Sequence, residues 1–283
     1  MIFQKIKISL LFYISPAKYN YLNFMKNLSN IGRIFYGTAI AVMGLHTIYF
    51  KDFHPYLLPA NHSGIPGLVV LAYISGALLI IAGAGIVFEK KTRPISLLLG
   101  AVLLLICCFY YIPYEFIATS NYMHFGEWEN AVKELALSSG AFVIAGCFSE
   151  KNENPLTRFL SKLIPYGTIV FSLTIISFGA NHFLYAKSAA DYIPSWIPNH
   201  IFWIYFAGVA LLGSGIGITL NIRRRLLAVL LGTMIFIWFI ILHIPKAAAS
   251  PFADMGGETI SAFLALAYSG TAFVIAGGTK KVA

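Results

Sequence analysis

Charged side chains are scarce in this chain. Asp, Glu, Lys and Arg make up 11% of its 283 residues, whereas 58% of the residues are hydrophobic. Soluble domains carry about 25% charged residues, so burial in an aqueous globule does not account for this deficit. Long apolar segments surrounded by lipid do account for it. The composition therefore excludes an ordinary soluble domain and indicates an integral membrane protein.

Cysteine is scarce as well, with three residues in the chain. Cys107 and Cys108 fall in the middle of one apolar segment, and Cys147 falls near the end of another. None lies in the loops that we assign below to the outer face, and no Cys-x-x-Cys pair occurs. No disulfide framework is indicated, and we interpret the three residues as small buried apolar side chains.

The short motifs of well-known catalytic sites are also missing. The sequence has no serine nucleophile elbow, P-loop, zinc-protease helix or dinucleotide fingerprint. It also lacks the strict two-residue alternation of a membrane β-barrel. Glu134 is the only notable acidic residue within an apolar segment. That scarcity argues against a proton-coupled pump, because a proton relay through a membrane normally needs carboxylates.

Eight long apolar segments are present. Each has close to the ~20 residues that a helix needs to cross a bilayer, and a helix satisfies its own backbone hydrogen bonds in lipid. We therefore predict an all-α membrane protein with eight transmembrane helices. The predicted spans are about 31–50, 66–88, 95–113, 130–148, 166–186, 200–220, 226–244 and 259–278.

The basic residues predict the orientation of these spans. Sixteen of the 20 Lys and Arg residues precede or open the first span or follow an even-numbered one. The positive-inside rule then places both termini in the cytoplasm and the chain in the inner membrane. The same distribution indicates the lipid bilayer, and not nucleic acid, as the partner. The sixteen are Lys5, Lys7, Lys18, Lys26, Arg33, Lys90, Lys91, Arg93, Lys151, Arg158, Lys162, Arg223, Arg224, Arg225, Lys280 and Lys281.

The chain also repeats itself. The hexapeptide at 141–146 returns letter for letter at 272–277, and Gly83, Gly85, Gly100 and Pro113 recur at an offset of 132 residues. Four spans are an even number, so both repeats enter the membrane in the same sense. This predicts two parallel four-helix bundles related by an axis along the membrane normal. The predicted divisions are an N-terminal extension (1–30), a first repeat (31–148), a cytoplasmic linker (149–165) and a second repeat (166–278).

The N-terminal extension contains a short apolar run, Ile8 to Ile14, that is too short to span a bilayer. Met25 stands directly before the first predicted span and offers an alternative start of translation. We therefore interpret the extension as either an interfacial segment or a misassigned start, and we assign it no function.

All seven histidines fall in the outer half of the predicted membrane protein. His46 and His182 recur at an offset of 136, near the outer ends of the first and fifth spans. Histidine at membrane depth could hydrogen-bond a neighbouring helix, bind a polar ligand or exchange protons with it, or bind a transition metal. The spacing lacks a local metal signature, so we assign no metal ligand. The other five histidines are His54, His62, His124, His200 and His243.

The connection between the fifth and sixth predicted spans contains two prolines, Pro194 and Pro198, on either side of Trp196. Such a segment is not a regular helix, and it is either a stiff interfacial loop or a lid. Together with the histidines it defines a candidate outer pocket, although no residue is assigned a catalytic role. The candidate ligand-binding residues are His46, Asn181, His182, Trp196, His200, His243 and Lys246.

The second repeat resembles DoxX-like membrane proteins. The resemblance rests on Asn181-His182, the segment from Pro194 to Pro198, Phe202-Trp203, Gly208, Arg223 to Arg225, Gly232, His243-Ile244-Pro245 and the final hexapeptide. The first repeat is similar more loosely, since Trp196 has no counterpart there and Tyr111 stands in the position of His243. The chain thus looks like two fused DoxX-like units.

This resemblance implies four-helix integral units, and the family name comes from a subunit associated with a thiosulfate:quinone oxidoreductase. Two functions stay open at this point. One is a redox-associated membrane subunit whose outer pocket holds a quinone or a similar amphipathic molecule, with a soluble or membrane oxidoreductase as partner. The other is a non-enzymatic membrane scaffold or a passage for a small solute.

Overall fold

The computed structural model describes residues 16–59, 65–118, 123–150 and 153–278. Within these ranges the chain is helical and contains no β-strand. The eight longest helices there are α1 (Pro16–Phe50), α2 (Leu68–Val87), α3 (Thr92–Ile117), α4 (Glu129–Ala145), α5 (Ile164–Leu184), α6 (His200–Thr219), α7 (Arg224–Ala249) and α8 (Gly257–Gly277). The apolar run at 8–14 and residues His62, Lys5, Lys7, Lys151, Lys280 and Lys281 lie outside the described residues.

Seven of these eight helices are long and apolar enough to cross a membrane, which indicates a multi-pass membrane protein. The remaining one is α4, which was predicted as a span over 130–148. It has 17 residues and begins with Glu129, Lys133 and Glu134 in its first two turns. Its 17 residues make α4 the shortest of the eight helices, and its charged residues are concentrated in the first two turns.

Two predicted boundaries differ from the structure. Helix α1 begins at Pro16, so its first turns lie within the segment predicted as an extension up to residue 30. Met25 is 7% exposed and its backbone touches Gly277 of α8, so this part of α1 belongs to the packed body. The predicted linker contains a short helix, Pro155–Leu160, and Asn154 caps it by accepting a 2.8 Å hydrogen bond from the Thr157 N–H.

Four helices form the centre of the molecule. Helix α1 packs along α8, α5 packs along α4, and α4 and α8 touch each other. The other four lie outside this group: α2 on α1, α3 on α4, α6 on α5 and α7 on α8. The first helix of each predicted repeat therefore lies against the last helix of the other repeat. The two halves are interlocked and do not pack as two separate bundles.

Helices α4 and α8 contain the duplicated hexapeptide, and its residues are buried in both copies except Gly146, which follows α4 and is exposed. Every residue from Ala136 to Ala145 is buried, as is every residue from Leu264 to Gly277. The small side chains of these runs let neighbouring helices approach closely, as is usual for helices packed in a membrane. A repeated sequence of small apolar residues is thus explained by a repeated central position.

Local features recur at the same spacing as the sequence. A π-helical turn occurs at Cys107–Tyr111 in α3 and again at Phe239–His243 in α7, and a proline follows each turn. Proline has no N–H to donate, which disturbs the hydrogen-bond ladder one turn earlier. The Ser138 hydroxyl donates to the Gly100 carbonyl at 2.7 Å, and the Ser269 hydroxyl donates to the Gly232 carbonyl at 2.8 Å.

The connections between helices lie at two opposite ends of the molecule. We call the end formed by residues 88–91, 146–150, 153–163 and 220–223 the basic end. The end formed by 51–59, 123–128, 185–199 and 250–256 is the histidine end. Arg33, near the basic end, is only 7% exposed. It donates to the carbonyl of Val87 at 2.6 Å and pairs with Glu89 at 2.9 Å, so it closes the C-terminus of α2.

Candidate functional site

A cavity of about 620 Å³ lies toward the histidine end of the second repeat, between α4, α5, α6, α7 and α8. This volume is typical of small-molecule pockets, which are mostly apolar and contain a few convergent polar groups. Apolar residues such as Ile175, Leu211 and Leu264 form much of the wall. The polar and aromatic residues that line it are His124, Glu129, Lys133, Phe178, Asn181, His182, Tyr185, Ser188, Tyr192, Trp203, Trp238, His243, Glu258, Ser261 and Tyr268.

Asn181 and His243 have unsatisfied polar atoms at this cavity. Among the described residues, neither Asn181 Oδ1 nor His243 Nδ1 has a hydrogen-bond partner, and both atoms are buried. Buried polar atoms are nearly always hydrogen-bonded, and leaving one unpaired costs roughly 1–3 kcal/mol. Two residues with such atoms line one cavity, which indicates a place where a small shift of either side chain lets it bond a polar group of a ligand.

His182 is held in one orientation by its own helix. Its Nδ1 lies 2.8 Å from the carbonyl oxygen of Phe178, one turn earlier in α5. A carbonyl only accepts, so Nδ1 bears the proton and Nε2 of the neutral ring has a free lone pair. His182 can therefore accept a proton or a hydrogen bond from a bound molecule.

The segment between α5 and α6 covers one side of the cavity. Its short helix Ala186–Ala190 is followed by turns in which Ile193 and Ile197 are buried against Ile204 and Leu242. The indole N–H of Trp203 donates to the Pro198 carbonyl at 3.1 Å and fixes these turns to α6. The prediction that this segment is not a regular helix is confirmed. Its two buried isoleucines dock it against α6 and α7, although most of its other residues are exposed.

Four of the seven candidate residues lie away from the cavity wall. Trp196 is 69% exposed, and His200 begins α6 beside it. The Lys246 ammonium lies 3.7 Å from the ring centre of Tyr192 at the cover segment, a cation–π contact. His46 lies at a different place, where its Nε2 donates to the Met255 carbonyl at 2.6 Å. Asn181, His182 and His243 are the candidates that the structure brings together at the cavity.

Sequence analysis missed the contribution of α4 to this cavity. Lys133 and Glu129 form an ion pair at 2.7 Å and line the wall, although they belong to the first repeat. The Tyr268 hydroxyl of α8 donates to the Lys133 carbonyl at 3.0 Å. The predicted pocket includes no residue of α4, whereas α4 packs on α5 in the structure. One feature of the sequence pointed to this contribution of α4, because Lys133 is among the few basic residues that lie away from the basic end.

The corresponding place in the first repeat is filled by side chains. Tyr111 stands where the second repeat has His243, and its hydroxyl donates to the Pro55 carbonyl. Tyr111 and Tyr56 are each 1% exposed, and Glu134 is completely buried beside them. Two carboxylate oxygens of Glu134 have no hydrogen-bond partner in the part of the chain that the structure describes. The two predicted repeats therefore differ here: the second has an open cavity, and the matching positions of the first are filled by side chains.

His54 lies next to His46 at the histidine end, outside the membrane-spanning helices. Its Nδ1 accepts a hydrogen bond from the Tyr56 N–H at 3.4 Å, and its ring centre lies 5.8 Å from that of His46. Burial lowers the pKa of His54 from its ordinary value of 6.5 to about 4, and the neighbouring His46 and Lys133 add to the decrease. His54 is therefore neutral at physiological pH.

Replacing His54 by glutamine is expected to flatten the pH dependence of stability. Between pH 6.5 and about 4 the unfolded chain binds a proton at His54 that the folded protein does not bind. The free energy of unfolding therefore falls as the pH decreases through this window, and glutamine removes this contribution. Thermal unfolding in detergent at about pH 7 and about pH 4.5 measures it. An identical pH dependence in both proteins would contradict the prediction.

Across the described ranges, no three His, Cys, Asp or Glu side chains form a group that could hold a metal ion. No protein-family model, no curated protein and no solved structure matches this chain.

Proposed function

We propose that this protein is a DoxX-like, redox-associated membrane subunit whose cavity at the histidine end binds a quinone or a similar amphipathic ring compound. The observation on which this rests is that two residues lining a largely apolar cavity, Asn181 and His243, each have a buried polar atom without a partner among the described residues. A quinone has two carbonyl acceptors, its reduced form has two hydroxyl donors, and its ring and tail are apolar. Asparagine and histidine side chains can donate to the first form and accept from the second.

The aromatic residues of the cavity support the same ligand class. Trp203 and Trp238 lie edge to face with their ring centres 6.2 Å apart, and both line the wall. Flat aromatic walls favour a flat ring because offset and edge-on contacts contribute about 0.5–1.5 kcal/mol beyond burial. A ring between these residues and α5 would lie beside Asn181 and His182.

His182 and His243 are the residues that would exchange protons with a bound quinone. Reduction of a quinone to a hydroquinone takes up two electrons and two protons. In this proposal the electrons come from a partner oxidoreductase, and His182 and His243 exchange protons with the quinone oxygens. The free Nε2 lone pair of His182 suits it to this role, because its Nδ1 is held by the Phe178 carbonyl.

The proposal includes the predicted membrane arrangement. It holds that α4 completes eight crossings, that the two repeats arose by duplication, and that both termini face the cytoplasm of an inner membrane. The matched π-helical turns and the matched serine hydrogen bonds support the duplication. The basic end then faces the cytoplasm and the cavity faces the outer leaflet.

Titration of the detergent-purified protein with decylubiquinone or menadione tests the function. We expect saturable quenching of tryptophan fluorescence and quinone in organic extracts of the purified sample. Trp238→Phe should reduce the saturable quenching, whereas Trp196→Phe should not, because Trp196 is 69% exposed and lies off the cavity wall. His182→Ala should weaken the affinity. Non-saturable quenching that is equal in both tryptophan variants, with no extracted quinone, would refute the proposal.

A further inference from the structure

A second cavity lies at the opposite, basic end of the molecule. It is a cleft of about 650 Å³ between the ends of α4, α5 and α8 and the turn that joins α6 to α7. Arg223, Arg224 and Arg225 line it together with Asn221 and Tyr21. Apolar residues form the rest of its wall, among them Val143, Ile164, Leu226, Val274 and Ile275. The cleft thus joins a cationic edge to an apolar floor.

The arginines of this cleft lack acidic partners within the described part of the chain. The carboxylate ion pairs there belong to Arg33, Arg93 and Lys133. Arg224 Nε donates to the Ile218 carbonyl at 3.3 Å, which leaves most of its guanidinium donors free. Arginine has five donors in a fixed fork that matches phosphate and carboxylate oxygens, so three clustered arginines favour an anion.

In the corresponding turn of the first repeat, the arginine is paired with a carboxylate of the protein itself. Arg93 occupies the position that Arg225 has in the second repeat, and it pairs with Glu153 at 2.5 Å. Glu89, which pairs with Arg33, is replaced by Asn221 in the second repeat. The duplication therefore kept the basic turn and lost its acidic partners only where the cleft opens.

The backbone of this turn adds to the positive potential. Arg223 has a φ of 44°, in the left-handed region, and helix α7 begins directly after it without a side-chain cap. The first N–H groups of α7 and the positive end of its dipole therefore lie beside the three arginines. The turn at Lys91 has the same backbone conformation, with a φ of 51°, but no arginine cluster.

We infer that this cleft binds the phosphate group of an anionic ligand, held by Arg223 and Arg225. The ligand is either a phospholipid, whose chains would lie along the apolar floor, or a soluble phosphate compound. The site is distinct from the cavity at the histidine end, and this inference does not depend on the proposed quinone function.

A paired substitution tests the inference in the full-length protein. Arg223→Gln with Arg225→Gln removes two cations from the cleft, and Lys90→Gln with Lys91→Gln removes two cations from the matched turn of the first repeat. Both variants lose the same charge, so a topological role of the basic residues would affect them alike. Arg223→Lys with Arg225→Lys keeps the charge and loses the forked donors, and it serves if the glutamine variant does not fold.

Native mass spectrometry with added phosphatidylglycerol or phosphatidylcholine, and thermal unfolding with inorganic pyrophosphate, distinguish the two sources of phosphate. We expect tighter binding of phosphatidylglycerol than of phosphatidylcholine, or stabilisation by pyrophosphate, with a roughly tenfold weaker affinity in the arginine double variant. The lysine double variant should bind like the original protein, and quinone titration should be unchanged in both. Equal binding of every phosphate probe by the two double variants would overturn the inference. So would a protein that binds phosphatidylglycerol no more tightly than phosphatidylcholine and is not stabilised by pyrophosphate.

Discussion

Replacing Gly270 by valine is expected to prevent correct assembly of the helices. Gly270 of α8 and Gly32 of α1 cross with their backbones in contact, and a Cβ atom on either would lie closer than 3.0 Å to the carbonyl oxygen of the other. The Cβ of residue 270 would also meet the backbone nitrogen of Tyr36 at 2.9 Å. Neither obstacle is a flexible side chain, so the helices must separate along the longest interface of the molecule.

The expected cost exceeds that of ordinary overpacking, which is about 1–3 kcal/mol. For a domain of about 150–250 residues, each kcal/mol lowers the unfolding temperature by roughly 2–4 °C. We therefore expect either aggregation in detergent or a large decrease in unfolding temperature, measured by size-exclusion chromatography and thermal unfolding.

Gly213→Val is the matched control for this prediction. Gly213 lies in helix α6, and a Cβ atom there would have no neighbouring atom within 4 Å. Both variants make the same chemical change in a membrane helix, so they share the small change in helix propensity. A Gly270→Val protein as stable as Gly213→Val would show that α1 and α8 do not cross as described.

Replacing Asn181 and His243 together by leucine is expected to abolish quinone binding while the fold is kept. The change removes the two buried polar groups that have no partner among the residues described, and leucine fits the apolar surroundings of the cavity. Loss of one hydrogen bond to a ligand at a buried site costs about 1–3 kcal/mol, which is roughly a tenfold to hundredfold loss of affinity. The double variant should therefore show no saturable binding at concentrations that saturate the original protein.

The stability of this variant provides an independent check. Removing unpaired buried polar atoms should leave the unfolding temperature unchanged or raise it, because those atoms are desolvated without compensation. His200→Leu serves as the control for binding, since His200 lies at the same end of the molecule but off the cavity wall. Equal quinone affinities in the double variant and in His200→Leu would exclude Asn181 and His243 as ligand contacts.

The sequence predicted the helical membrane character and most helix positions because both follow from local composition. A segment such as 200–220 is apolar over the full thickness of a bilayer, and α6 occupies almost the same residues. The role of the segment at 130–148 was harder to predict from the sequence. Its small apolar residues are explained by its central position in the molecule and not by contact with lipid. Its charged first turns belong to the wall of a cavity that no local pattern reveals.

The site was only partly predictable for a related reason. The depth of a histidine in the membrane follows from its distance to the end of a span, and so His182 and His243 were found. The direction in which a side chain points depends on helix rotation and on π-helical turns such as Phe239–His243. His46 and His182 occupy matched positions in the sequence, yet one bonds to Met255 across the α1–α8 interface and the other lines the cavity.

The sequence by itself determined that this chain forms long apolar helices and that its basic residues are concentrated near one set of helix ends. It also determined which segments resemble each other in sequence. These properties follow from composition and periodicity, which act over a few turns of one helix. Only the tertiary structure decided that α1 lies on α8 and α5 on α4, which places Lys133 of one repeat in the cavity of the other. Two halves with the same apolar faces can pack within themselves or across each other, and the close fit of particular surfaces, such as Gly32 against Gly270, selects between them.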